Sequence, residues 1–266
     1  MRKFFLVCAA TAKLYLDKRV SRAAAALSYF LMLSVFPLLV CLYVMLGNMF
    51  PTAEAISSFV KGVLPDELVN TIVDYLGYVT QNAGNTLIAM SLAAMATASA
   101  AAYRTLDNVM GELWGSKRFS GPFAFAFSFV FSLIFLAAMY FSVIIIISGQ
   151  WFIRFADEHI HFLNISASWQ WGRFLVLFLL ILFINMGLYR LTAPRRRSVH
   201  IYTGAIAASA ALVAVSVLFS YFIGISAKYP LVYGSLASVM IMLLWLYICG
   251  NIVIIGNIVN VVLDRI

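Results

Sequence analysis

The sequence predicts an all-α membrane protein with six transmembrane helices, and three observations support this fold class. Of its 266 residues, 64% are hydrophobic and 11% are charged, whereas a soluble domain carries about 25% charged residues. Uncharged apolar intervals long enough to cross a bilayer recur six times along the chain. The segments between these intervals differ strongly in their content of lysine and arginine.

The six predicted spans belong to a single integral membrane domain, residues 1-266. They cover approximately 25-48, 86-104, 122-149, 173-191, 201-225 and 234-263. When the loops are assigned to alternate sides of the membrane, 14 of the 18 basic residues lie on the side of both termini. The positive-inside rule then places both termini in the cytoplasm. Topology and anionic headgroups explain the net charge of +8, so we do not expect nucleic acid as a partner.

The segment before the first span is predicted to be an amphipathic helix on the cytoplasmic membrane surface, with its basic residues toward the headgroups. Its one-face spacing involves Phe4, Val7, Cys8, Thr11, Leu14 and Tyr15. The order of Arg2-Lys3, an apolar run and Ala10-Thr11-Ala12 also matches a signal peptide. Cleavage would carry the basic cluster from Lys13 to Arg22 across the membrane, so we expect an uncleaved interfacial helix.

The longest predicted loop, residues 49-85, contains two short amphipathic helices. Apolar residues follow helical spacing on both sides of Pro65, and Asp66 and Glu67 suit the N-terminus of the second helix. These helices either lie on the outer interface and pack against the bundle, or form a lid over a cavity.

The last span carries a stripe of small and polar residues. Ser238, Trp245, Gly256 and Asn260 fall within about a quarter of the helix circumference, and Asn257 lies beside them. A membrane helix has no reason to show such residues to lipid, so this face should contact protein or a cavity. The spacing leaves open which of the two it contacts.

Two other features concern the interior of the predicted bundle. Pro37 lies in the middle of the first span, where it is either a packing kink or a hinge beside a substrate path. The spans 86-104 and 201-225 are rich in alanine, which permits close helix approach. The candidate residues of the interior or substrate path are Pro37, Ser238, Trp245, Gly256, Asn257 and Asn260.

Four arginines are candidates for contact with anionic lipid headgroups on the cytoplasmic side. Arg104 ends the second span, where it can instead pair with Asp107 at i, i+3. Arg195, Arg196 and Arg197 form the most positive point of the chain. Arginine suits bidentate phosphate contact, although topology and lipid anchoring are sufficient to explain this cluster.

The sequence does not predict an enzyme, a cofactor or a metal site. The acidic residues and His200 on the cytoplasmic side are scattered over separate segments, and no phosphate-binding or hydrolase motif occurs. His159 and His161 can contribute to a metal site, but no third ligand stands at suitable spacing. The cysteines are scattered, so structural disulfides are not expected.

Several stretches together resemble the YihY/virulence factor BrkB family of bacterial membrane proteins. They are Leu27-Ser28-Tyr29 with Ser34 and Pro37, Asn108 and Trp114, Pro194 to Arg197, Tyr229 to Gly234, Trp245, and Gly256 with Asn260. The resemblance covers about residues 20 to 263 and implies a six-helix protein of the bacterial cytoplasmic (inner) membrane. The family once carried the label ribonuclease BN and has been linked with envelope integrity, serum resistance and lipid transport. Family members often have an acidic residue or alanine where this chain has Asn257, which argues against a carboxylate role there.

We therefore predict a transporter or flippase for lipids or other amphipathic envelope components. A non-transporting membrane scaffold or envelope assembly factor is the alternative, while ribonuclease activity is not expected. No carboxylate lies within a predicted span, so an acidic proton relay is absent. Whether the stripe on the last helix lines a cavity or is sealed by helix packing separates the two hypotheses.

Overall fold

A computed structural model describes residues 2–46, 73, 74, 77, 84–115, 130, 165–193, 201–225 and 236–265. This part of the chain contains six α-helices and no strand, as the predicted all-α class requires. The helices are α1 (Arg2–Asp17), α2 (Val20–Leu46), α3 (Asn85–Trp114), α4 (Ile165–Thr192), α5 (Ile201–Ile225) and α6 (Leu236–Arg265). Apart from isolated helical residues, the predicted span 122-149 and the predicted short helices of 49-85 lie outside the described residues.

The helices extend beyond several of the predicted spans. α5 has the bounds predicted for its span, and α3 continues past 104 to Trp114. The sequence prediction ended that span at the first charged residue, whereas a helix can continue into the headgroup region or water. α3 ends where Gly115 adopts a left-handed conformation, with φ of 74°, which glycine tolerates at a helix C-terminus.

Two helices in the described part of the chain are long and apolar enough to cross a membrane. These stretches are Ile201–Phe219 in α5 and Val239–Arg265 in α6. Shorter apolar stretches occur in α2, at Val20–Val35, and in α4, at Phe178–Thr192. The count of six spans therefore stays a prediction.

α6 is the central helix of the described bundle. It packs against α1, α2, α3 and α5, while α2 also packs along α3 and α4 along α5. The main buried cluster lies where α2 and α5 begin and where α3, α4 and α6 approach their ends. Its fully buried members are Val20, Ala24, Met110, Leu113, Tyr189, Ala205, Ile254, Ile258 and Val261. We call this region the packed end.

The halves of the helices away from the packed end bury far fewer described residues. A second, smaller buried cluster lies in these halves. It consists of Cys41 and Met95, and Leu38 packs against it. Large apolar side chains are exposed there, including Val217, Leu218 and Tyr221 on α5. We call this region the opposite half.

The N-terminal helix packs against the bundle. Val7, Ala10, Leu14 and Tyr15 contact the main buried cluster, so most of the face predicted from the sequence spacing meets protein. Cys8, which the spacing assigned to the same face, is exposed.

Candidate functional site

Asn260 of α6 joins the packed end to the first turn of α5. The backbone N–H of Gly204 donates a 2.7 Å hydrogen bond to Asn260 Oδ1. α5 begins at Ile201, so Gly204 carries one of the early amides that find no acceptor within their own helix. Asn260 is 1% exposed, and it therefore caps α5 from a neighbouring helix inside the protein.

α5 and α6 approach so closely at this point that only glycine fits. A Cβ atom on Gly204 would overlap the carbonyl oxygen of Gly256 and the side-chain amide of Asn260. A Cβ atom on Gly256 would lie 2.7 Å from the Cβ of Ala208 and 2.5 Å from the hydroxyl of Tyr189. We call the contact formed by Gly204, Gly256 and Asn260 the α5–α6 seam.

α4 is tied to both helices of the seam by buried polar side chains. The hydroxyl of Tyr189 donates to the carbonyl oxygen of Val253 at 2.7 Å, which links α4 to α6. Asn185 Nδ2 donates to Ser209 Oγ at 3.0 Å, which links α4 to α5. Buried hydrogen bonds of this kind each contribute about 1 kcal/mol and fix the register of the helices.

The last turn of α3 contacts α6 beside the seam. Trp114 Nε1 donates to Asn257 Oδ1 at 3.4 Å, and Arg265 Nη2 donates to the carbonyl oxygen of Leu113 at 2.8 Å. A cationic side chain at the C-terminal carbonyls of a helix is favourable. The packed end therefore joins α3, α4, α5 and α6.

Two buried amide groups at the packed end keep an unused donor. An indole N–H and a backbone N–H can only donate, so both asparagine oxygens must face these groups and both nitrogens must point away. Asn257 Nδ2 and Asn260 Nδ2 make no hydrogen bond within the described part of the protein. A buried donor without a partner costs about 1–3 kcal/mol.

The packed end combines helix contacts with buried polar groups, and these include the carboxyl residue Asp107 near the end of α3. The hydrogen bonds that link α3, α4, α5 and α6 there involve asparagines, Ser209, Tyr189, Trp114 and a terminal arginine. No three His, Cys, Asp or Glu residues among the described ranges are placed to hold a metal ion.

The structure brings three of the predicted interior residues together, because Gly256, Asn257 and Asn260 are all buried at the packed end. Trp245 lies nearer the N-terminus of α6 and is half-buried, and Ser238 lies in the first turn of that helix. The stripe therefore runs from the opposite half into the seam.

Two other predicted site residues, Pro37 and Arg104, lie in the described helices. Pro37 is half-buried within α2, which continues through it. Arg104 Nε donates to the carbonyl oxygen of Ala100 in its own helix at 3.2 Å. Arg195, Arg196 and Arg197 lie outside the described residues.

Tyr189 was not predicted as a site residue, although the structure places it within the packed end with no exposed surface. A tyrosine beside Arg190, near the end of a predicted span, looks like an ordinary interfacial residue. Its proximity to Gly256 depends on how α4 and α6 pack, and neither helix encodes that packing by itself.

The fold and this polar region together define a helical membrane protein whose last helix organises the bundle. The chain belongs to the virulence factor BrkB family, whose sequence profile matches residues 11–266. The resemblance noted from the sequence is thereby confirmed.

Individual relatives are similar over nearly the whole chain. A UPF0761 membrane protein of Vibrio campbellii is 27% identical over 252 residues, which is 90% of this chain and 76% of the relative. A UPF0761 membrane protein of Aromatoleum aromaticum is 26% identical over 254 residues, or 91% of this chain, but this match spans only 60% of that relative. The ribonuclease-like protein YfkH of Bacillus subtilis is 21% identical over 251 residues, covering 91% of this chain and 89% of YfkH. No solved structure matches the chain.

Proposed function

We propose that this protein moves lipids or other amphipathic envelope components across the bacterial cytoplasmic membrane, and that the packed end is its closed, cytoplasmic end. The observation that carries the proposal is the exposed small-residue face of α3 in the opposite half. There Ala93, Ala94 and Thr97 are exposed around Met90, which is the large exposed side chain of the same face, although small residues normally serve close helix packing.

The length of α3 supports this position of the packed end relative to the bilayer. α3 has 30 residues and is therefore about 45 Å long, whereas the hydrocarbon core of a bilayer is about 30 Å thick. Arg104 is its twentieth residue, so the part from Asn85 to Arg104 matches the hydrocarbon thickness. In this proposal the last turns of α3, which contact Asn257 of α6 beside the seam, extend beyond the hydrocarbon on the cytoplasmic side.

The exposed face of α3 differs from a face that simply contacts lipid. On α5, the exposed stripe of Ala214, Val217, Leu218 and Tyr221 consists mostly of large apolar side chains. On α3, Ala93, Ala94 and Thr97 are exposed together with Met90, a large side chain on the same face, and Leu92 is exposed at its edge. The Thr97 hydroxyl donates to carbonyl oxygens of its own helix at 3.0 Å, so this surface presents little unsatisfied polarity to an acyl chain.

The packed end has the properties of a closed gate in this proposal. The α5–α6 seam excludes any side chain larger than glycine at Gly204 and Gly256. The unused donors of Asn257 and Asn260 oppose this closure by about 1–3 kcal/mol each. When the seam parts, water can reach these donors and remove that cost. The free-energy difference between the closed and the open arrangement is smaller as a result.

A non-transporting scaffold is the second candidate, and the seam itself favours it. Gly256, Asn257 and Asn260 are buried against other helices in this arrangement, so this part of the stripe does not line a cavity. A scaffold needs only such rigid packing. A hydrolytic function is not proposed, because the name of YfkH describes that protein.

Reconstitution into liposomes tests the proposal. Purified protein is incorporated into vesicles carrying a fluorescent phospholipid in both leaflets, and the fraction bleached by an external reductant is followed with time. Transport predicts that bleaching exceeds the one-leaflet limit of protein-free vesicles. Exchange no faster than in protein-free vesicles contradicts transport and favours the scaffold.

A further inference from the structure

α1 carries a second apolar face that the bundle does not cover. While Val7 and Leu14 pack on the main buried cluster, Phe5 is 79% exposed and Leu16 is 72% exposed on the other side of the helix. Ala9 and Ala12 are also exposed. These four residues follow the spacing i, i+4, i+7, i+11, which places them on one face of a helix. We call this face the outer stripe of α1.

Hydrogen bonds to α6 fix the direction in which the outer stripe points. The Tyr15 hydroxyl donates to Asn251 Oδ1 at 2.8 Å. Asn251 Nδ2 in turn donates to the carbonyl oxygen of Tyr247 at 2.8 Å, and the hydroxyls of Ser21 and Tyr247 are 2.8 Å apart. Because these bonds hold the opposite side of α1 against α6, the outer stripe faces away from α6.

The position of α1 along the bundle matches the membrane boundary. α1 ends at Asp17 and α2 begins at Val20, with Arg19 in a left-handed conformation at the corner between them. The uncharged run of α2 starts directly after Arg22. α1 therefore lies at the level where the chain enters the apolar part of the bilayer.

The charge around α1 complements an anionic lipid surface. Between positions 2 and 22 the chain has six basic residues and one acidic residue. Lys13, Lys18 and Arg19 are exposed. Each cation near an anionic membrane surface contributes about 1 kcal/mol, and an apolar helix face flanked by lysine and arginine is typical of helices that lie in the interface.

We propose that the outer stripe of α1, formed by Phe5, Ala9, Ala12 and Leu16, binds the anionic phospholipid surface of the membrane. Lys13 beside the stripe contacts the headgroups. α1 thus has bundle on one side and lipid on the other, and its attachment to α6 places bound anionic lipid next to the packed end. This inference is independent of transport, since it requires only that the protein sits in a membrane.

Site-specific fluorescence tests the inference on the full-length protein in nanodiscs. In a variant without the native cysteines, Leu16→Cys carries an environment-sensitive dye, and Glu112→Cys is the matched control, because Glu112 is exposed near the end of α3. Nanodiscs contain phosphatidylcholine with increasing phosphatidylglycerol. Quenching is measured with spin-labelled phospholipid and with aqueous iodide, and size-exclusion profiles verify that the variants are folded.

The inference predicts that the dye at position 16 is quenched by spin-labelled lipid and protected from iodide, while the dye at position 112 shows the reverse. Lys13→Gln raises the phosphatidylglycerol fraction needed for half of the spectral change about five-fold, which corresponds to about 1 kcal/mol. Equal iodide quenching at both positions overturns the proposal. Protection from both quenchers also overturns it, because another protein or a second copy then covers the stripe. Identical spectra without phosphatidylglycerol overturn the anionic preference.

Discussion

Gly204→Ala is the substitution that probes the α5–α6 seam most severely. The new methyl group would overlap the backbone oxygen of Gly256, which cannot rotate away, and the side-chain amide of Asn260. Overpacking of a tight contact costs about 1–3 kcal/mol, and loss of the 2.7 Å bond from the Gly204 N–H to Asn260 adds about 1 kcal/mol. We expect the free energy of unfolding to fall by roughly 2–4 kcal/mol.

Gly187→Ala provides the matched control for this experiment. Gly187 also lies within a helix, in α4, but nothing lies within 4 Å of the position its Cβ would take. Alanine there removes the flexibility of glycine from a helix, so we expect a gain of about 0.5–1 kcal/mol. The two variants carry the same chemical change, and only their surroundings differ.

Unfolding in mixed micelles with increasing SDS measures both variants against the unsubstituted protein. Tryptophan fluorescence is a suitable signal because Trp114 contacts Asn257 at the packed end. The seam predicts opposite shifts of the midpoint for Gly204→Ala and Gly187→Ala. A Gly204→Ala protein as stable as the unsubstituted protein would show that α5 and α6 do not meet in this way.

Three further predictions follow from the same contacts. Asn260→Leu leaves the buried N–H of Gly204 without its acceptor, so the protein should lose about 1–3 kcal/mol in the same assay; no loss would refute the capping role. Burial raises the pKa of Tyr15, and the nearby Tyr247 raises it further. The phenol of the unfolded chain therefore ionises first, near about pH 10. α1 should stay attached below that pH and loosen as the pH rises above it. Limited proteolysis of α1 against pH checks this, and release already at neutral pH would contradict it. For topology, an impermeant maleimide should label Cys8 only from the cytoplasmic side and Thr86→Cys only from outside, each as a single-cysteine protein; the reverse pattern would overturn the orientation.

Local sequence features account for the helices and for the organising role of α6. The apolar intervals predicted α5 at 201-225, and the polar stripe identified Gly256 and Asn260 as residues that face protein or a cavity. Both inferences depend only on helical periodicity and on the cost of polar groups in lipid, and this information is present in each segment by itself.

The partners of those residues depend on tertiary packing and could not be predicted. Nothing in the sequence pairs Asn260 with the amide of Gly204, or Tyr189 with the carbonyl of Val253. The two faces of α1 show the same limit. Helical spacing found the face containing Leu14, but only the docked helix shows that this face is used by protein and that Phe5 and Leu16 remain exposed.

Leaflet exchange by two tryptophan variants shows whether amphipathic molecules move along the exposed face of α3 that contains Ala94 and Thr97. Ala94→Trp fills that face, whereas Ala214→Trp adds the same bulk to the large apolar stripe of α5. We expect Ala94→Trp to slow phospholipid exchange in liposomes toward the protein-free rate, and Ala214→Trp to exchange as fast as the unsubstituted protein. Equal exchange by both variants, or no exchange by the unsubstituted protein, would contradict this expectation.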